Sequence, residues 1–139
     1  MKKGPALTVD AVVEKDGRLL LIRRGREPFK GLYALPGGFV EHCEMTERAV
    51  LRELEEETGI KGRIKGLLCV RSDPARDPRG HTVSVVYVVE PLSEKATAGD
   101  DAKTVEWVRI DERILSKMAF DHADIVREYL SLKGRKGLN

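Results

Sequence analysis

Glycines bracket the segment that most restricts how this chain can fold, "GGFVEHCEMTERAVLRELEEETGI" at residues 37–60. Pro36-Gly37-Gly38 stops the apolar piece "LYALP" before it, and helical periodicity then begins. Thr46 is the expected N-cap, and Ala49, Val50 and Leu54 recur at the spacing of one inward face. Gly59 suits the C′ position, where left-handed backbone closes a helix, with Ile60 as the apolar contact behind it. The same helix carries four glutamates in five positions. Glu53, Glu56 and Glu57 stand at i, i+3 and i+4, so their Cβ atoms lie about 5–6 Å apart on one face. Like charges so placed cost a few tenths of a kcal/mol per pair, and the dipole disfavours acids in the last turns. Arg52 reaches Glu56 at i+4 or Glu55 at i+3, but one guanidinium does not neutralise four acids. A hard divalent ion does: Mg²⁺ takes oxygen ligands and is commonly shared between one or two carboxylates and a substrate phosphate. A solvated acidic face is the alternative that spacing alone leaves open. Glu55 lies outside the trio and is expected in solvent.

The rest of the chain alternates between strand and turn signals. "ALTVDAVVEKDGRLLLIRR" places Asp16-Gly17 between two β-rich runs, which predicts a hairpin. "GRIKGLLCVRS", "HTVSVVYVVE" and "TVEWVRI" read as strands. "DPARDPRG", with two Asp-Pro steps, and "EKATAGDD" read as loops. "FDHADIVREYLSL" has Ile125, Val126, Tyr129, Leu130 and Leu132 at helical spacing, with Asp121 as the expected cap. Strands, a helix, more strands and a final helix predict an α+β fold, a mixed sheet with helices packed on it.

With 139 residues, 41% of them hydrophobic, one domain over 1–139 with a single core is expected, its tail at 134–139 frayed. A net charge of +2 demands no nucleic-acid partner. No apolar run approaches the roughly 18 residues that span a bilayer. The start, "MKKGPALTVD", lacks an apolar signal core, so a cytoplasmic location is expected. Cys43 and Cys69 lack CxxC spacing and are expected as reduced thiols.

The acidic segment resembles the Nudix hydrolase signature, G-x5-E-x7-R-E-U-x-E-E-x-G-U with U aliphatic. Gly38, Glu44, Arg52, Glu53, Leu54, Glu56, Glu57, Gly59 and Ile60 meet every fixed position. "LPGGFVE" and the preceding strand pair are common in that family. "SDPARDPRGHTVSVVY", "AGDDAKTVEWV" and "AFDHADIVREYL" look like the small ADP-ribose pyrophosphatases of bacteria and archaea. A proline near 15 residues past the signature marks that branch, and Pro74 falls 14 past Ile60. Many relatives have glycine where Cys43 stands.

The resemblance implies an α/β/α sandwich and Mg²⁺-dependent hydrolysis of a diphosphate linkage, with Mn²⁺ as a substitute. ADP-ribose would yield AMP and ribose 5-phosphate. It implies metal binding by Glu53, Glu56, Glu57 and a backbone carbonyl at Gly37 or Gly38, where glycine lets the backbone come close. Arg52 and Glu44 would hold the glutamates in place. The general base would be one of those acids or an acid outside the signature, with Asp101 the candidate beside Asp100; both also suit an ordinary turn. Arg24, Arg71, Arg76 and Arg79 are candidates for the phosphates because guanidinium forks match phosphate oxygens, and surface solvation is the alternative for each. Gly38 and Phe39 are further substrate candidates. Phe39 and Tyr33 suit base stacking or core packing. Trp107 is expected in the core. His122 suits either a substrate contact or a hydrogen bond at the helix start, and His81 has no partner visible in sequence. A homodimer is implied. Hydrolysis of oxidised nucleoside triphosphates, and a non-catalytic ADP-ribose sensor, are the alternative functions.

Overall fold

The computed structural model describes residues 3–99 and 102–136. Eight strands and three helices follow one another as β1 (Ala6–Val12), β2 (Glu14–Lys15), β3 (Arg18–Arg24), β4 (Tyr33–Ala34), β5 (Gly37–Phe39), α1 (Thr46–Thr58), β6 (Gly62–Arg71), β7 (Thr82–Pro91), β8 (Ala102–Val108), α2 (Glu112–Leu115) and α3 (His122–Lys136). The mixed sheet expected from sequence is present, and a second sheet stands beside it. The first runs β5-β1-β7-β6, with β1 and β7 parallel and the other pairs antiparallel. The second is antiparallel: β3 pairs with β2 and β4 and also with β8.

Side-chain alternation assigns the two faces. Val9, Ala11 and Val13, with Leu20, pack against Ala49, Val50 and Leu54 of α1 and against Ile60. Val12, Leu19 and Leu21 pack on the opposite side against Leu115, Ile125 and Val126. Strands buried on both faces read as continuous apolar runs, which is why β1 and β3 look alike in sequence. The helices therefore cover both sides of the strands. Among the described residues no helix is long and apolar enough to cross a membrane.

Local signals set the turns. Asp16 (φ 52°) and Gly17 (φ 77°) both take positive φ, the geometry of a type I′ hairpin, as Asp-Gly predicts. Gly59 takes φ 72° and its N–H donates to the Glu55 carbonyl, so α1 ends as its sequence implies. The start of α1 differs. Met45 is the N-cap, without a side-chain capping bond, and Thr46 is the first helical residue. The Thr46 hydroxyl is occupied by Tyr87 Oη at 2.7 Å and Glu47 Oε1 at 3.0 Å. Asp121 does precede α3, but its carboxylate is held by Arg76. α3 continues through Lys136, so residues 134–136 of the expected frayed tail are helical, and residues 137–139 lie outside the described residues. Trp107 is partly buried against the α1 side of the core, and its indole N–H donates to the Glu94 carbonyl. Both cysteines are free thiols.

Cys43 carries a conformational cost. It takes φ 63° within the turn closed by the Glu44 N–H and the Glu41 carbonyl. Left-handed backbone costs an L residue about 1–2 kcal/mol, and glycine gives part of that back through its unfolded-state entropy. Cys43→Gly is therefore expected to raise unfolding stability by about 0.5–1 kcal/mol, read from a denaturant midpoint. An unchanged or lower midpoint contradicts the strain.

Candidate active site

The last two turns of α1 and the β5 turn face each other, and the glutamates lie between them. Arg52 organises this group. Its Nε and Nη2 donate to both oxygens of Glu44 at 2.7 and 3.0 Å. Nη1 donates to Glu53 at 2.7 Å and Glu56 at 3.1 Å, and Nη2 also reaches the Phe39 carbonyl at 3.1 Å. One planar guanidinium thus ties three acids to the β5 backbone, which a lysine ammonium does not reproduce. Glu55 is exposed, as expected.

Glu53 and Glu57 both approach the glycine pair. The Gly37 N–H donates to Glu57 Oε1 at 2.7 Å. A Cβ on Gly38 would overlap the Glu53 carboxylate, and one on Gly37 would overlap the Val9 carbonyl oxygen and the Asp10 carboxylate. Close approach of the β1 backbone requires glycine at Gly37, whereas a side chain at Gly38 would displace the Glu53 carboxylate. Burial pushes the Glu53 carboxyl above its ordinary value, only partly opposed by Arg52. A half-buried carboxylate held this way gains from a neighbouring cation. Among the described residues no three acidic, histidine or cysteine side chains alone gather tightly enough to hold an ion. The donor set, carboxylate oxygens beside backbone carbonyls, is nonetheless the hard-oxygen chemistry that Mg²⁺ or Mn²⁺ prefers, with water and substrate completing the shell. These residues fit such an ion.

Glu44 anchors the arrangement from the loop side. It accepts from the Glu41 N–H at 2.9 Å as well as from Arg52, and these bonds hold its carboxyl down at about 2. A depressed folded pKa contributes stability above the unfolded carboxylate value, and that contribution disappears as pH falls from there through about 2. Glu44→Gln is therefore expected to be less stable than the parent at neutral pH, with the difference closing as pH falls across that window. A difference independent of pH, followed by acid and urea unfolding, contradicts the charged clamp.

A small cavity of about 70 Å³ opens beside Gly37, Gly38 and Glu57. Arg24 and Arg79 line it as well. The Arg24 guanidinium lies 5.0 Å from the Phe120 ring centroid, and that of Arg79 lies 5.6 Å from Phe120 and 5.4 Å from Phe39. Burial and the neighbouring Arg79 lower the Arg24 pKa, so adding an anion here relieves repulsion between two cations. Phe39 is half exposed at the rim. Arg76 touches the same cavity but is committed elsewhere. It is nearly fully buried, donates twice to Asp121 at 2.9 and 2.7 Å, and donates to Thr82 at 2.8 Å. Its guanidinium is engaged by Asp121 and Thr82 rather than open to a phosphate. Arg71 is paired with Glu128 at 2.5 Å and lines an adjoining cleft that shares Arg76 and Phe120 with this cavity. Tyr33 is core, and its hydroxyl accepts from Arg23. His81 binds the Ser72 carbonyl. Asp100 and Asp101 lie outside the described residues.

Several residues at the cavity are not distinguished by sequence type. Asp10 is buried in β1, accepts from the Ser84 hydroxyl at 2.5 Å, and faces His122 Nε2 at 3.5 Å. Asp77 accepts from Arg79. The signal for the first was available: Thr8 and Asp10 in one strand, and Thr82 and Ser84 in another, interrupt apolar runs at the period of one sheet face.

Helices on both sides of paired sheets, with an acid-rich helix set against a glycine turn, define a small α+β domain. The chain belongs to the Nudix family, because the NUDIX domain profile matches residues 4–129. It is 49% identical over 129 residues to an ADP-ribose pyrophosphatase of Methanocaldococcus jannaschii, covering 93% of this chain and 75% of that one. It is 32% identical to the ADPR responsive transcriptional repressor NtrR of Acinetobacter baylyi, over 89% of this chain but about half of the repressor (52%). The NUDIX domain of Shewanella oneidensis NrtR, solved as a cocrystal with ADP ribose, superimposes with a TM-score of 0.83 at 31% identity, covering 94% of this chain and 89% of that one.

Proposed function

We propose that the protein hydrolyses the diphosphate linkage of ADP-ribose to AMP and ribose 5-phosphate, with Mg²⁺ or Mn²⁺ bound by Glu53, Glu56, Glu57 and a carbonyl at Gly37 or Gly38. The observation that carries this reading is that Glu57, the glycine pair, Arg24 and Arg79 all line one cavity, with Glu57 held at the glycine turn. A carboxylate and two guanidiniums lining one cavity suit a ligand that is itself anionic and brings a cation with it. The bound dication would neutralise phosphate charge and lower the pKa of an attacking water. The protein's own contribution is positioning, which is most of what phosphoryl-type transfer requires. Arg52 and Glu44 fix the acids, Arg24 and Arg79 orient the diphosphate, and Phe39 closes the rim. One of the α1 glutamates or Asp101 takes the water proton, a role worth about 10²–10⁴-fold. The high identity to an ADP-ribose pyrophosphatase and the ADP-ribose-bound structural neighbour support the substrate.

The working unit in this reading is a single cytoplasmic domain over 1–139, paired as a homodimer. The similarity to an ADPR responsive repressor keeps a sensor role as the second reading. A screen with Mg²⁺ and with Mn²⁺ decides: ADP-ribose, dinucleotide polyphosphates and oxidised nucleoside triphosphates are compared by product analysis. AMP and ribose 5-phosphate from ADP-ribose support the proposal. Pyrophosphate released from a triphosphate as the main product, or tight ADP-ribose binding without turnover, rejects it.

A further inference from the structure

The chain crosses from the second sheet to the first between β4 and β5, and Leu35 sits at that crossing. Its side chain is buried, and its N–H donates to neither ladder. A buried N–H without a partner is costly, and here the partner is a side chain 87 residues away: His122 Nδ1 accepts it at 3.0 Å. Because Nδ1 accepts, the ring proton belongs on Nε2, which points at Asp10 Oδ1 at 3.5 Å. That separation is longer than a hydrogen bond, so the contact is electrostatic. Asp10 is itself fixed by Ser84 and pairs in register with Gly37 across the β1–β5 ladder. The neighbouring links are also short. The Pro36 carbonyl accepts from the Ala11 N–H at 2.8 Å, and the Gly37 N–H holds Glu57 at 2.7 Å. A continuous path therefore runs from Ser84 and Asp10 through His122, Leu35 and Pro36 to Gly37 and Glu57.

We infer that His122, backed by Asp10, is a positioning residue that sets the Leu35–Gly38 backbone and, through it, the Glu57 carboxylate and glycine carbonyls of the metal site. The inference rests on the metal reading above. It assigns His122 neither a substrate contact nor a helix cap. The imidazole is buried, and burial keeps it on the neutral side of its titration, as an acceptor for Leu35 requires. Residues behind a metal's direct ligands commonly tune affinity or activity by about 10–100-fold.

Two substitutions separate positioning from simple packing. His122→Asn keeps an acceptor oxygen near the Nδ1 position and loses the contact with Asp10. His122→Phe keeps a ring and loses both. Mn²⁺ binding to the full chain, read from the electron paramagnetic resonance of free Mn²⁺, is expected to weaken about 10–100-fold in His122→Phe. The Mg²⁺ concentration for half-activation should rise in parallel, while the KM for ADP-ribose at saturating metal stays near that of the parent. His122→Asn should recover most of the Mn²⁺ affinity. In the unmodified protein, nitrogen NMR should show His122 Nδ1 unprotonated, the Leu35 amide protected from exchange and both signals shifted by added Mg²⁺, a response that tests the link even if the phenylalanine variant does not fold. Parent-like Mn²⁺ affinity in folded His122→Phe, an asparagine variant as impaired as the phenylalanine one, or a Leu35 amide exchanging like an exposed loop would overturn the inference. A parent protein that binds Mn²⁺ but leaves ADP-ribose intact would instead reject the substrate reading and leave this one standing.

Discussion

Glu57→Gln is expected to slow ADP-ribose hydrolysis by about 10²–10⁴-fold, the range for losing a positioned carboxylate that handles a proton, while the fold stays intact. The two halves of that expectation have separate origins. The Gly37 N–H donates to Glu57 Oε1, and glutamine keeps an oxygen able to accept that bond. Removing one charge from the crowded face of α1 also relieves like-charge repulsion by a few tenths of a kcal/mol, so stability should hold or rise slightly. What disappears is the negative charge facing the cavity, which a dication and an attacking water both require. The checks are kcat in Mg²⁺ and thermal unfolding on the same preparation. Activity within tenfold of the parent would remove Glu57 from the chemistry. Equal loss of activity and of melting temperature would make its role structural.

Arg76→Ala is expected to cost about 3–5 kcal/mol of unfolding stability, the range for removing one partner of a buried ion pair. Arg76 is among the most enclosed charged side chains described, and Asp121 is largely covered too, at 4% and 19% side-chain exposure. Removing the guanidinium takes both side-chain donors from the Asp121 carboxylate and one from the Thr82 hydroxyl, and takes a positive neighbour from Asp10. Against a typical total of about 5–15 kcal/mol, this is a large fraction. Removing both charges with Arg76→Met and Asp121→Leu should recover much of the loss, because no unpaired charge stays buried. Urea unfolding of the two single variants and the double variant gives the comparison. A stable Arg76→Ala whose only defect is a raised KM for ADP-ribose would restore the phosphate role that its residue type suggested.

Arg76 and Arg79 show where sequence stops being legible. They stand three residues apart in one loop and carry the same group. One is locked by Asp121, 45 positions away, and the other pairs with Asp77 two residues before it and lies over Phe39 and Phe120. Residue type gives chemistry, but only long-range packing gives address. The Asp16-Gly17 hairpin, the Gly59 helix stop and the acidic face were legible because each is written within a few residues. The division of strands into two sheets was not. It depends on β1 pairing with β7, and β3 with β8, across some 80 residues of chain. Thr46 misled for a long-range reason, since its hydroxyl meets the Tyr87 hydroxyl 41 residues on, a partner its neighbours do not announce. The Thr8–Asp10 and Thr82–Ser84 alternations were visible as polar interruptions, but their convergence under the cavity follows only from the β1–β7 register.

The most direct measurement is anomalous diffraction from crystals grown with Mn²⁺ and a non-hydrolysable ADP-ribose analogue. The expected map has a manganese peak bounded by carboxylate oxygens from α1 and a carbonyl of the Gly37–Gly38 turn, with analogue phosphate oxygens completing the shell and Arg24 or Arg79 on the diphosphate. An analogue bound at full occupancy, with no metal peak near α1 and with Glu53, Glu56 and Glu57 all turned into solvent, would contradict the account at its root.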